Sequence, residues 1–89
     1  MIERGCRVGF FGLGRSNLSL IKSLPLENCS VTLRSDGSID PSILPGARIM
    51  SGERATEDIS EDILFLSPSV RRERFQGYPG VILSSDYEL

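Results

Sequence analysis

Near the amino end of the chain, two glycines two residues apart interrupt an apolar run, in the stretch R-V-G-F-F-G-L-G-R-S-N-L from Arg7 onward. Val8, Phe10 and Phe11 have the β-branched and aromatic character of a short buried strand, and Gly12 and Gly14 suit a tight turn with close backbone approach. Beyond them Leu18, Ile21 and Leu24 recur at helical spacing with polar residues between. A strand, a turn and a helix start in that order aim unpaired helix N–H groups at whatever lies above Gly14, and an anion is their natural occupant. A tight turn that binds nothing has the same residues.

The spacing partly fits the dinucleotide fingerprint G-x-G-x-x-G, with Gly12 and Gly14 in place and Asn17 where the third glycine would stand. Asn17 either pushes helix and strand apart or turns its amide toward a ligand or the backbone. Roughly twenty residues on, where a NAD site places an acid for the ribose hydroxyls, the chain has Arg34, Ser35 and Asp36. Arg34 and Ser35 suit a 2′-phosphate, as in NADP, or the base and sugar of another nucleotide, while R-S-D-G also reads as a plain turn. A third polar stretch, Ser67, Pro68, Ser69 and Val70, follows the apolar run I-L-F-L. Arg71, Arg72 and Arg74 come next; they can attract phosphate or form a solvated helix face.

Composition narrows the partners. The 89 residues allow one domain, and 10 Lys and Arg against 12 Asp and Glu give a net charge of −2, which argues against a general nucleic-acid binder. No apolar run approaches the ~20 residues needed to span a bilayer, and the first residues lack the pattern of a secretory signal, so a cytoplasmic location without membrane contact is expected. The absence of histidine excludes His-based metal sites and the usual Ser-His and Cys-His nucleophiles. No metal site and no catalytic residue is expected. Cys6 and Cys29 each stand at the start of an expected strand; a disulfide is conceivable, and reduced core residues are the expectation.

These residues need elements to hold them. The pattern predicts a helix over residues 16–24, stopped by Pro25, and a second strand over residues 29–33 closed by the turn-forming R-S-D-G-S. Asp40 and Pro41 start one or two helical turns, residues 48–50 make a short strand, and the acidic residues 52–61 form at most a surface helix. Residues 63–66 read as a central strand covered on both faces, 71–76 as a short helix and 81–83 as a last strand. The alternation predicts a single α/β, Rossmann-like domain, with about five mostly parallel strands flanked by short helices and a ligand site at the carboxyl ends of the strands.

Taken together, G-L-G-R-S-N-L, V-T-L-R-S-D, I-L-F-L-S-P-S-V and the closing D-Y-E-L resemble, in order and spacing, the N-terminal domain of the Mur ligases, most specifically the D-glutamate-adding members. The family commonly shows G-L-G-x-[ST]-G-L, an apolar strand followed by S-P-G-[IV], and E-x-E-L before its central domain. Asn17 and Ser69 depart from it by replacing glycines, and R-S-D is displaced from the usual acidic-then-hydroxyl order. The resemblance implies that the chain binds UDP-N-acetylmuramoyl-L-alanine as the N-terminal domain of an ATP-dependent ligase of peptidoglycan precursor synthesis, and so of cell-wall biogenesis. By the same resemblance Leu13, Gly14, Arg15, Ser16 and Asn17 would line the diphosphate and uracil side. Ser35 with Arg34 or Asp36 would lie around the uracil and ribose, and Ser67, Pro68, Ser69 and Val70 against the sugar and diphosphate. ATP and magnesium are implied for the parent enzyme, in central and C-terminal domains beyond these 89 residues. The chain has no G-x-x-x-x-G-K-[ST] phosphate loop and would not ligate alone. The alternatives are a NADP- or NAD-binding module of an oxidoreductase or sensor, and an α/β interaction domain with an empty crevice.

Overall fold

The structure is a computed structural model in which residues 6–75, 77, 78 and 80–83 are described. Gln76 of the expected 71–76 helix, and the closing D-Y-E-L of the resemblance, lie outside them. Five strands, β1 (Arg7–Phe11), β2 (Ser30–Ser35), β3 (Arg48–Ser51), β4 (Ile63–Leu66) and β5 (Val81–Leu83), form one parallel sheet in the order β3-β2-β1-β4-β5. One α-helix, α1 (Arg15–Ser23), and 3-10 turns at Pro41–Ile43, Gly52–Thr56 and Arg72–Phe75 make up the connections. The chain is therefore a doubly wound α/β domain, with the expected elements in the expected order and 3-10 turns at the later connections.

Strand parity divides the interior in two. Val8 and Phe10 of β1, Val31 and Leu33 of β2 and Phe65 of β4 face α1 and pack with Leu20, Ile21 and Leu26. The Phe10 and Phe65 rings stack with centroids 5.3 Å apart. Each such side chain contributes about 1.5–3 kcal/mol on burial. The stripe α1 turns inward runs through Asn17, Leu20 and Ile21, with Leu18 and Leu24 half-buried at its margins. It is centred nearer Asn17 than the apolar spacing predicts, because a polar side chain occupies the innermost position. Leu24 ends the helix in extended conformation, its N–H still bonded to Leu20 C=O, and Pro25 prevents continuation. At Asp40 the side chain accepts from Ser42 N–H at 2.9 Å, the cap expected before Pro41.

The second face is thinner, holding Phe11, Ala55, Leu64, Leu66 and Phe75. Here β2 runs two residues past Leu33, and parity sends Arg34 into this face with no exposed surface. All five of its N–H donors are occupied. Nε and Nη2 hold the Glu61 carboxylate bidentately at 2.7 and 2.9 Å. Nη1 donates to the Ala55 and Glu57 carbonyls at 3.0 and 2.7 Å, and Nη2 to the Asp58 carbonyl at 3.2 Å. Gly9 makes room for this pair, since a Cβ there would run into the Glu61 carboxylate. The expectation that Arg34 belongs to a strand-end turn and reaches a ligand is corrected: it is a strand residue whose donors are saturated inside the protein. Residues 52–61, read as acidic surface, are held to the sheet by it.

Replacing Arg34 with Met leaves the buried Glu61 carboxylate without its guanidinium partner. That should cost about 3–5 kcal/mol, read as a fall in the urea midpoint; a change below about 1 kcal/mol would show that water supports the carboxylate instead.

Candidate functional site

Strand order reverses beside β1, with β2 on one side and β4 on the other. In a doubly wound sheet the crevice for a ligand opens at the carboxyl ends there. The chain turns out of β1 at Gly12, whose φ of +83° favours glycine, and its N–H donates to Arg34 C=O at 2.8 Å. On the other side Ser67 N–H donates to Phe11 C=O at 3.0 Å, continuing the β1–β4 ladder into the loop. A Cβ at Gly12 would lie 2.9 Å from Ser67 Cβ and Val70 Cγ2, and one at Gly14 2.9 Å from Ser67 Oγ. Both glycines are thus needed for the turn to seat against the loop after β4.

Asn17 completes this joint. Its Nδ2 lies 2.6 Å from Gly12 C=O, 3.2 Å from Phe11 C=O and 3.3 Å from Phe65 C=O, which ties β1, the turn and β4 to the first turn of α1. The side chain is wholly buried, and Oδ1 has no hydrogen-bond partner among the described residues. Of the two roles open to Asn17, the amide takes the backbone one. It is positioned to hold the turn and is withdrawn from direct contact with a ligand. Ser67 is likewise buried, with its Oγ 3.2 Å from Ser69 Oγ.

Above this joint lies a cleft of about 410 Å³. The β1 end supplies Phe11, Gly12 and Leu13, the β2 end Ser35 and Asp36, and the segment after β4 Ser69, Val70, Arg71 and Arg74. Of the residues singled out from sequence, Leu13, Ser35, Asp36, Ser69 and Val70 meet here. Gly14 and Ser16 stand half-buried at the start of α1, and Pro68 is exposed. Arg15 lies beside Leu18, Ser19 and Lys22 on the outer side of α1. Arg71 and Arg74 line the cleft and are also exposed at the 3-10 turn, so both readings of them hold; the R-R-x-R spacing after S-P-S-V is the sequence signal.

Arg74 is the organised charge of the cleft. Its Nη1 and Nη2 donate to Asp36 Oδ2 and Oδ1 at 2.9 and 3.1 Å, and its guanidinium carbon lies 4.9 Å from the centroid of the Phe11 ring. The hydrogen bonds from Arg74 hold the Asp36 carboxyl below the usual carboxylate range, against a smaller opposing effect of desolvation. Asp36 and Arg74 are 65% and 36% exposed, so the pair is a weak, solvent-screened one. At the helix start Gly14 is extended and no side chain caps α1, which leaves its first-turn N–H groups to an outside acceptor.

No protein-family model, curated protein or solved structure gives a significant match to the chain. The fold and cleft define a doubly wound α/β domain with a polar, arginine-bearing crevice at the carboxyl ends of β1, β2 and β4. That arrangement suits an anionic ligand with ribose-like hydroxyls, the first for Arg71 and Arg74 and the second for Asp36 and Ser35.

Two measurements check this geometry. Asn17→Ala should lower stability by about 1–3 kcal/mol in urea unfolding, because the two N–H bonds of one amide are shared among three backbone carbonyls, and Asn17→Gly should cost about 1 kcal/mol more. An unchanged midpoint in Asn17→Ala would show that Asn17 does not hold the joint. In Arg74→Gln the NMR titration midpoint of the Asp36 carboxyl should rise toward its ordinary value. A folded-state value below the unfolded one means that the pair's stabilisation is present above the ordinary Asp range near pH 4 and is lost as pH falls through the depressed value.

Proposed function

We propose that this domain binds a nucleoside diphosphate, and specifically UDP-N-acetylmuramoyl-L-alanine, in the cleft at the carboxyl ends of β1, β2 and β4. In this reading it serves as the substrate-binding N-terminal domain of a cytoplasmic, ATP-dependent D-glutamate-adding ligase of peptidoglycan precursor synthesis. The observation that carries the proposal is that Arg71 and Arg74 line the cleft where strand order reverses, beside the Gly12–Leu13 turn that leads to the uncapped start of α1. Two arginines and a helix N-terminus complement a diphosphate. The sequence resemblance to the Mur ligases supplies the identity of the sugar nucleotide.

In the assignment of roles, Arg74 and Arg71 take the diphosphate, with the N–H groups at Arg15 and Ser16 on its other side. Leu13 and Val70 form the apolar walls, and Ser35 and Asp36 receive the uridine ribose. Asn17, Ser67 and Arg34 hold these groups in place from beneath. The domain would contribute binding energy and orientation, fixing one end of the substrate so that its alanyl carboxylate is presented to the rest of the enzyme. ATP and magnesium supply the activation of that carboxylate in the parent ligase; this chain carries no phosphate loop for them. Among the described residues no helix is long and apolar enough to cross a membrane.

Asp36 favours a second reading, a NAD-binding module, because an acid at the end of β2 is where that cofactor's ribose is held. Arg34 being buried, the 2′-phosphate of NADP has only Arg71 and Arg74 to meet it.

Calorimetric titration of the chain with UDP, a UDP-muramoyl dipeptide analogue, NAD and NADP separates the two. Saturable binding of both uridine compounds is expected, with Arg74→Gln weakening it roughly tenfold or more, the loss of a charge-assisted hydrogen bond. Binding of NAD or NADP with none of UDP would overturn the proposal.

A further inference from the structure

At the sheet edge opposite the cleft, the amino ends of β1 and β2 bring two thiols together. The parallel register pairs Arg7 with Ser30, so one step back sets Cys6 beside Cys29, and Ser30 N–H donates to Cys6 C=O at 3.0 Å. The two Sγ atoms stand 2.9 Å apart, closer than two sulfurs in ordinary van der Waals contact. Adjacent strands lie about 4.8 Å apart, which falls inside the roughly 4.4–6.8 Å between Cα atoms that a disulfide spans. Both cysteines are only half-buried, so the Cys6 thiol keeps exposed surface that a small oxidant can reach, and Cys29 also lines a groove between α1 and residues 44–47.

We propose that Cys6 and Cys29 are a reversible dithiol–disulfide pair, a redox-modification site that fastens the amino ends of β1 and β2 to each other. The oxidant is a low-molecular-weight disulfide, R–S–S–R. The Cys6 thiolate attacks one of its sulfurs, forming a Cys6–S–S–R mixed disulfide and releasing one thiolate, which takes up a proton. Cys29 then loses its proton and attacks Cys6 Sγ, closing the internal bond and expelling the second thiolate. Two protein thiols are oxidised by two electrons and one R–S–S–R is reduced to two R–SH. Burial, and then the hydrogen bond with Cys6, push the Cys29 thiol up to about 11, so the second step quickens as pH rises toward that value.

The link joins residues 23 apart and encloses α1 in the loop. It removes freedom from the unfolded chain, so oxidation should raise the melting temperature by on the order of 10 °C. The cleft, at the other ends of the same strands, keeps its geometry, which makes this proposal independent of the ligand assigned there.

The test incubates the full 89-residue chain across a series of glutathione disulfide to glutathione ratios, quenches with acid and measures intact mass, peptide linkage and melting temperature. Expected are a monomer lighter by two hydrogen atoms, one linked peptide pair containing Cys6 and Cys29, and a rise in melting temperature that dithiothreitol reverses. Cys6→Ser should show neither the link nor the rise. Glutathione adducts that accumulate without internal closure, disulfide-linked dimers, or thiols unchanged at the most oxidising ratio would each overturn the proposal. So would a rise in melting temperature retained by Cys6→Ser.

Discussion

The arrangement of the lower sheet face depends on one buried guanidinium. Small domains have little apolar surface to divide between two sides of a sheet, and here α1 and the larger aliphatic set cover one side only. The other side is closed by Phe75 and by residues 52–61, which offer Ala55 and half-buried Ile59 as apolar contacts and, Glu61 apart, expose their acidic and polar side chains. Arg34 makes that segment part of the fold by donating to three of its carbonyls and to Glu61. Burying a charge is costly unless it is paired and fully hydrogen-bonded. With all five donors satisfied, the guanidinium meets that condition, and the absence of a side chain at Gly9 lets the Glu61 carboxylate lie over β1.

The same strand end serves the site. Arg34 C=O accepts the Gly12 N–H while its side chain points into the lower core, so the residue that fastens residues 55–61 also sets the first step of the turn after β1. Asn17 and Ser67 act from the other directions. The Asn17 amide draws the start of α1 onto the carbonyls of β1 and β4, and Ser67 packs under the two glycines. The missing third glycine of the fingerprint is therefore a change of means. Where a glycine would let helix and strand approach by having no side chain, Asn17 fills the space and hydrogen-bonds across it.

Much of the architecture was legible because it follows from local signals. Pro25 ends α1, Asp40 and Pro41 start the next turn, and the unbroken I-L-F-L marks a strand covered on both faces. The fate of Arg34 was not legible, since R-S-D-G has the composition of a turn and its partner Glu61 lies 27 residues away in an acidic stretch. Only the alternation of Val31 and Leu33 with Thr32 and Arg34, continued one residue beyond the apolar run, hints that the arginine shares a face with Gly9. Arg74 stood out in the sequence as able to attract phosphate, but its pairing was illegible for the same reason, since it depends on Asp36, 38 residues earlier, and on the Phe11 ring, and neither contact has a local signature.

The Asp36–Arg74 pair sets how the cleft can respond to an anion. It bridges the β2 end and the segment after β4 and engages one of the two arginines that line the cleft. In the proposed function a phosphate would share or take over that guanidinium. Because the pair is exposed it is worth only ~0–1 kcal/mol, so breaking it costs an incoming anion little. The Arg74 guanidinium carbon lies 4.9 Å from the Phe11 ring centroid, a cation–π contact that does not use its N–H donors. In the proposed complex Asp36, released from Arg74, would be the acceptor at the end of β2 for ribose hydroxyls. In the proposed nucleotide complex this one ion pair would supply both the phosphate donor, Arg74, and the hydroxyl acceptor, Asp36.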